Sequence, residues 1–270
     1  MLDAKPSIEK LKWIMDELRD PLTGCPWDLK QNFASIVPYT LEEAYEVADA
    51  IEKKDFSELE KELGDLLFQV IFYSKLGKEK SYFDFDDVVA SICEKLIRRH
   101  PHVFGDTSLA DEQAIKANWE NEKQKERQNK AQDESLSILA DIPGALPALS
   151  QANKIQKRCA HVGFDWPDIE QVFDKVEEEV VEVKEHIHGD QTKLTEELGD
   201  LMFAVVNLCR HAKQDPEAVL RAANQKFVER FNHVEKQVEQ SGKSFEQHDL
   251  ESLENYWQQA KQNNSQQEPK

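Results

Sequence analysis

The feature that most constrains this chain is an acidic segment pair written twice. The first copy reads Glu42-Glu43-Ala44-Tyr45-Glu46 and continues with Glu62-Leu63-Gly64-Asp65-Leu66-Leu67-Phe68. The second reads Glu178-Glu179-Val180-Val181-Glu182 and continues with Glu197-Leu198-Gly199-Asp200-Leu201-Met202-Phe203. From Glu46 to Glu62 is 16 positions, and from Glu182 to Glu197 is 15. The apolar residues around both copies recur at helical spacing, as Ile8, Leu11, Ile14, Met15 and Leu18 do near the N-terminus. A chain that repeats one amphipathic helix pair, with no sustained alternation of the strand type, folds as an all-α protein. The expected architecture is two tandem helical bundles related by internal duplication, over residues 1–130 and 131–270.

Landmarks beyond the acidic segments repeat in the same order. Lys95, Arg99 and His102 are matched by Lys226, Arg230 and His233, and Trp119 by Trp257. Helices are predicted from about Pro38 to Lys53, with Pro38 at the first helical position. The next runs from a Ser57/Glu60 capping box to about Gly77. Others cover Asp86 to Arg99 and Asp111 to Gln128, and in the second half start near Asp168, Thr192, Pro216 and Asp249. The polar stretch Glu120 to Ser135 reads as a helix extension and linker, and the tail from Gln262 as disordered.

On a helix, residues three apart share a face, so Glu43 projects with Glu46 and Glu62 with Asp65. The same holds for Glu179 with Glu182 and Glu197 with Asp200. Short turns at Asp55-Phe56 and Gly189-Asp190 pack each pair antiparallel, which brings four carboxylates together in each half. Four like charges raise one another's proton affinity unless a cation neutralises them, and an all-oxygen set suits Mg²⁺ or Mn²⁺. A di-iron bundle would need Glu-x-x-His, and no histidine stands three after Glu62 or Glu197. The plain alternative is a solvated acidic helix face. Against it, Leu63, Leu66, Leu67 and their counterparts surround the carboxylates, so those helices are expected to be buried. Gly64 and Gly199 sit mid-helix, where glycine costs about 1 kcal/mol against alanine, and so predict close backbone approach.

A net charge of −19 excludes a protein that coats nucleic acid, which needs a basic footprint. It leaves open a phosphate-bearing small molecule reached through a cation. Cys25, Cys93, Cys159 and Cys209 are scattered and read as free thiols in a reducing cytoplasm. No apolar run approaches a membrane span, and the polar N-terminus shows no signal peptide.

Taken with Gly24-Cys25-Pro26-Trp27-Asp28, Arg98-Arg99-His100-Pro101-His102-Val103-Phe104 and Val162-Gly163-Phe164-Asp165-Trp166, the acidic pattern resembles the MazG-type nucleoside triphosphate pyrophosphohydrolases, all-α enzymes. The resemblance covers nearly the whole chain. It implies Mg²⁺-dependent hydrolysis of nucleoside triphosphates to monophosphate and pyrophosphate by a homodimer, as nucleotide-pool housekeeping. Carried over residue by residue, it gives Glu179, Glu182, Glu197 and Asp200 as metal ligands, with Asp200 also facing substrate. Lys175, Lys193, Lys226, Arg230 and Trp257 become nucleotide-binding positions, and Glu178, with Glu179, a candidate for the catalytic base.

The first copy departs from this pattern. Four before Glu43 stands Tyr39 where the second copy has Lys175, and four before Glu62 stands Glu58 where it has Lys193. The set Glu43, Glu46, Glu62 and Asp65 is therefore expected to be a weak or inactive site, with turnover in the second half. Two other readings remain at this stage: a non-catalytic helical scaffold, and a pyrophosphatase for a single nucleotide. No Asn or Gln reader is identifiable beside Trp257, which leans towards broad specificity.

Overall fold

A computed structural model describes residues 5–108, 111–130 and 137–265. Among these residues there is helix and no strand, as the repeated 3.6-residue pattern requires. The chain forms two compact units, residues 1–126 and 127–270.

In the first unit the helices are α1 (Ile8–Leu18), α2 (Pro26–Lys30), α3 (Phe33–Lys53), α4 (Phe56–Glu79), α5 (Phe85–Arg99), α6 (Pro101–Phe104) and α7 (Glu112–Lys130, whose end crosses the unit boundary). The expected helix at Pro38 begins a turn earlier. Asn32 and Ser35 close a capping box there, and this stabilises a start at Phe33 that places Pro38 inside the helix. The next start also moves. Asp55, not Ser57, accepts from the backbone N–H groups of Ser57 and Glu58, at 3.2 and 3.0 Å, because an Asp one residue before the helix reaches the free N–H groups of the first turn. Lys54, left-handed at φ 57°, makes the bend. Helices α3 and α4 then lie side by side, with α1 against α4. Met15, Ile36, Ile71, Phe72 and Leu76 form the core between them, and Phe72 is only 1% exposed.

The second unit comprises α8 (Ala148–His161), α9 (Ile169–His186), α10 (Gln191–His211), α11 (Pro216–Ser241) and α12 (Leu250–Ser265). Asp168, Asp190 and Asp215 cap α9, α10 and α11 through their side chains, and Pro216 occupies the first turn of α11, where its missing N–H costs nothing. Helix α10 packs along α9 and against α8. Residues 262–265, expected in a disordered tail, continue α12, while 266–270 and the linker residues 131–136 lie outside the described residues. No described helix is long and apolar enough to cross a membrane.

Two expectations for the acidic helices are corrected. Leu63, Leu67 and Val70 of α4, and Leu198, Met202 and Phe203 of α10, are exposed within the chain. Periodicity shows that such residues share a face, but not that the same chain covers it. Nor does any described part of the chain approach the mid-helix glycines: a Cβ at Gly64 or Gly199 would meet nothing within 4 Å.

Candidate metal centre and nucleotide cavity

The side-by-side packing of α9 and α10 brings Glu179, Glu182 and Glu197 together, with one carboxylate oxygen of each within 4.8 Å of the others. Glu179 is the innermost at 4% exposed. Its Oε1 receives Lys175 Nζ at 2.8 Å, whereas its Oε2 is buried with no hydrogen-bond partner. Burial pushes the Glu182 carboxyl above its ordinary range, and the charges of Glu179 and Glu197 add to the effect. A buried carboxylate oxygen without a donor is costly. An all-oxygen cluster that holds one has the donor chemistry of a hard divalent cation site, so the residues present fit such an ion.

Asp200 does not join the three glutamates, contrary to the expected fourfold set. One turn further along α10, it lines a cavity of about 580 Å³ together with Lys175 and Glu179. Lys175 bridges the two features: it pairs with Glu178 and with Glu179, both at 2.8 Å, and the two carboxylates raise its affinity for a proton. Glu178 is itself exposed, outside the cluster and held by Lys175. Lys193 sits exposed in the first turn of α10 beside Asp190.

Lys226, Arg230 and Trp257 do not line this cavity. They lie together on α11 and α12, where Trp257 packs on Phe227 with 4.9 Å between ring centroids and Arg230 stands 5.9 Å above the indole. Arg230 Nε is buried without a partner, which leaves hydrogen-bonding capacity for an anion.

Sequence reasoning gave no site role to the rest of the cavity lining, where Gln156 comes from α8, Asn207 and Arg210 from α10, and Asp165 and Trp166, noted there only within a family motif, from the loop between α8 and α9. Gly163, at φ +85°, makes the left-handed turn that ends α8 and swings Asp165 and Trp166 into place. Asn207 and Arg210 stand seven and ten positions after Asp200, so continuing the helical face of the acidic motif would have found them.

The first unit carries a related cluster, with buried side chains at positions that line the cavity in the second. Glu43, Glu62 and Asp65 converge, and burial raises the proton affinity of Glu43, with help from Asp65 and Glu46. Glu46, outside that trio, also raises Glu62, whose shift comes first from burial. Four and seven positions after Asp65 stand Gln69 and Phe72, both buried, where the second unit has Ala204 and Asn207 beside its cavity. Tyr39 packs edge-on against Trp27, and Glu58 pairs with Lys61 at 2.7 Å. Arg99, the counterpart of Arg230, is clamped by Glu126 at 2.6 Å. Its partner in that clamp is held near pKa 2 by Arg99 and Arg98. Trp119 donates to the Arg99 carbonyl at 3.0 Å.

The MazG nucleotide pyrophosphohydrolase domain family matches residues 31–104 and 168–238, more than half of the chain. The chain belongs to the MazG family. Both matched stretches contain an acidic segment pair, so the duplication seen in the sequence is a duplication of this domain. Among MazG relatives, a protein of Escherichia coli (strain K12) named nucleoside triphosphate pyrophosphohydrolase is 53% identical over 257 residues, 94% of this chain and 97% of that protein. A Thermotoga maritima protein named nucleoside triphosphate pyrophosphohydrolase/pyrophosphatase MazG is 43% identical over 261 residues, 97% of this chain and 98% of its own length.

Proposed function

We propose that this chain hydrolyses nucleoside and deoxynucleoside triphosphates to monophosphate and pyrophosphate, with broad base tolerance, in nucleotide-pool housekeeping in the cytoplasm. The reaction takes place in the C-terminal domain, residues 131–270, and the N-terminal domain, residues 1–130, contributes little turnover. The observation that carries this reading is the buried Glu179, with its unpartnered Oε2, at the junction of a three-carboxylate cluster and a cavity of nucleotide size. The names of the two relatives point to the same reaction.

Glu179, Glu182 and Glu197 would hold Mg²⁺, or Mn²⁺ in its place, and Asp200 would face the ion and the substrate from the cavity wall. The bound ion supplies Lewis-acid stabilisation of phosphate charge. Lys175 and Lys193 neutralise the polyphosphate, and Arg230 offers a forked donor to the same anion. Lys226 adds charge beside Arg230, and Trp257, which lies outside the cavity of its own chain, offers a sequence-tolerant stacking face to the base held by the second chain of the dimer. Glu178, one step along the helix from Glu179, takes the proton of the attacking water once substrate draws Lys175 away. Two chains associate through the exposed apolar faces of the acidic helices, where Gly64 and Gly199 leave room for a neighbouring backbone.

Incubation with the eight standard nucleotides and Mg²⁺ should release pyrophosphate and the matching monophosphate from all of them. No release above background, with Mn²⁺ tried as well, would favour the helical scaffold instead.

A pH dependence follows from the raised carboxyl of Glu182. A group that binds its proton more tightly when folded stabilises the protein below its unfolded pKa, and that stabilisation is lost as pH rises through the folded value. Protons and Mg²⁺ therefore compete for one cluster. The rise in melting temperature on adding Mg²⁺ should be several degrees at pH 8, on the scale of about 4 °C per kcal/mol for a domain of this size, and should shrink as the pH is lowered towards 5. Equal rises at both pH values, followed by calorimetry, would contradict the assignment.

A further inference from the structure

The cavity lining also holds two side-chain amides whose orientation is fixed by chemistry. Arg210 donates to Asn207 Oδ1 from Nε at 3.0 Å and from an Nη at 2.7 Å. A guanidinium carries donors only, so Asn207 must turn its oxygen towards Arg210 and present its NH₂ at the other end. Arg210 is held in turn by Asp165, with one contact at 2.9 Å and a second short pair, and His211 meets Asp165 at 3.0 Å. Gln156 is fixed in the opposite sense. Its Nε2 donates to the Phe203 carbonyl at 2.8 Å, and a carbonyl only accepts. The remaining Oε1 is buried with no partner, on a side chain 7% exposed that lines the cavity.

The cavity thus carries one committed donor, seven positions along α10 from Asp200, and one committed, unsatisfied acceptor. Inorganic phosphate or pyrophosphate would have no use for a buried acceptor. A nucleobase does, since the Watson–Crick edge of each base sets a donor beside an acceptor. Guanine, uracil and thymine present a ring N–H beside a carbonyl, whereas adenine and cytosine present an amino group beside a bare ring nitrogen.

We propose that Asn207 and Gln156 form an amide pair that reads the Watson–Crick edge of the substrate's base, with Arg210 and Asp165 as positioning residues that lock Asn207. This rests on the pyrophosphohydrolase reading and deepens it: all eight nucleotides are turned over, but their rates are graded by the fixed order of donor and acceptor. The two classes of base present that order reversed, so a change in either amide acts on them unequally.

The test is kcat/KM for the eight nucleotides with the intact chain and Mg²⁺. Asn207→Asp, which keeps the shape and removes the donor, should change the ratio between the two base classes about tenfold, the scale expected when a polar group loses its partner. Gln156→Met should also move that ratio. Arg210→Met, which frees the amide without removing it, should bring the ratio towards one; a merely structural role for Arg210 would lower all eight rates together. A common factor for all eight substrates in every variant, or no change at all, would overturn the base reading while leaving the hydrolase standing. A native chain inactive on all eight would overturn the hydrolase reading itself.

Discussion

Replacing Glu179 by glutamine should remove nucleotide hydrolysis, lowering kcat by roughly 10³-fold while the fold survives. Glutamine keeps the volume of the side chain, so the close packing around this 4% exposed position is preserved. What changes is charge. The amide cannot match the carboxylate's attraction for a divalent cation, and its NH₂ places a donor where either Lys175 or the cation needs an acceptor. A bound cation supplies several kcal/mol of transition-state stabilisation, and about 4 kcal/mol corresponds to 10³ in rate. The same substitution releases Lys175 from half of its anionic environment, so the ordinary lysine pKa should be approached from above. Steady-state kinetics at saturating Mg²⁺, with circular dichroism to check the fold, measure the effect. Near-native kcat would move the metal centre away from Glu179.

The second large effect concerns the cavity. Introducing Ala204→Gln and Asn207→Phe together writes the residues of the first unit, Gln69 and Phe72, into the second. In the first unit these side chains are buried, with Phe72 packed edge-on against Phe68 at 6.1 Å and beneath Arg19 at 5.4 Å. Placed in the second unit, they would fill space that is now open beside Asp200 and Arg210. Filling a binding cavity removes ligand contacts without touching Glu179, Glu182 or Glu197. The double variant should therefore retain its Mg²⁺-dependent rise in melting temperature yet lose about 100-fold or more in kcat/KM, mostly through KM. Loss of the Mg²⁺ response would mean that the repacking had reached the metal cluster. A normal KM would show that substrate does not use this cavity.

The sequence made the helices, their order and the acidic clusters legible, because each depends on spacing along one or two adjacent helices. It was less informative wherever a partner surface decides the outcome. Leu63, Leu67, Leu198 and Met202 carry the pattern of buried residues, yet among the described residues each is covered only in part and stays 41–57% exposed. Asp200 shares a helix face with Glu197 yet lines the cavity outside the three converging glutamates, whereas Asp65 at the same spacing converges with Glu43 and Glu62, so spacing along the helix did not decide which carboxylates meet. The capping residues Asn32 and Asp55 were overlooked in favour of Pro38 and of the Ser57/Glu60 pair, each a valid helix start signal that lost to a better-placed cap upstream. Gln156 and Asn207 were invisible for another reason. An amide becomes a reader only when a neighbour fixes which end faces the ligand, and those neighbours, the Phe203 carbonyl and Arg210, are identified by three-dimensional packing. The inequality of the two halves, by contrast, was readable at Tyr39 and Glu58, and the buried Phe72 and the Arg99–Glu126 clamp extend it.

The most direct test compares hydrolysis by Glu197→Gln with that by Glu62→Gln, two substitutions at corresponding places in the repeated motif. With turnover in the second unit, Glu197→Gln should be nearly inactive and Glu62→Gln should stay within about twofold of the native rate, since the first unit's cluster then has no part in hydrolysis. A Glu62→Gln enzyme without activity, beside a Glu197→Gln enzyme that still turns over, would contradict the assignment.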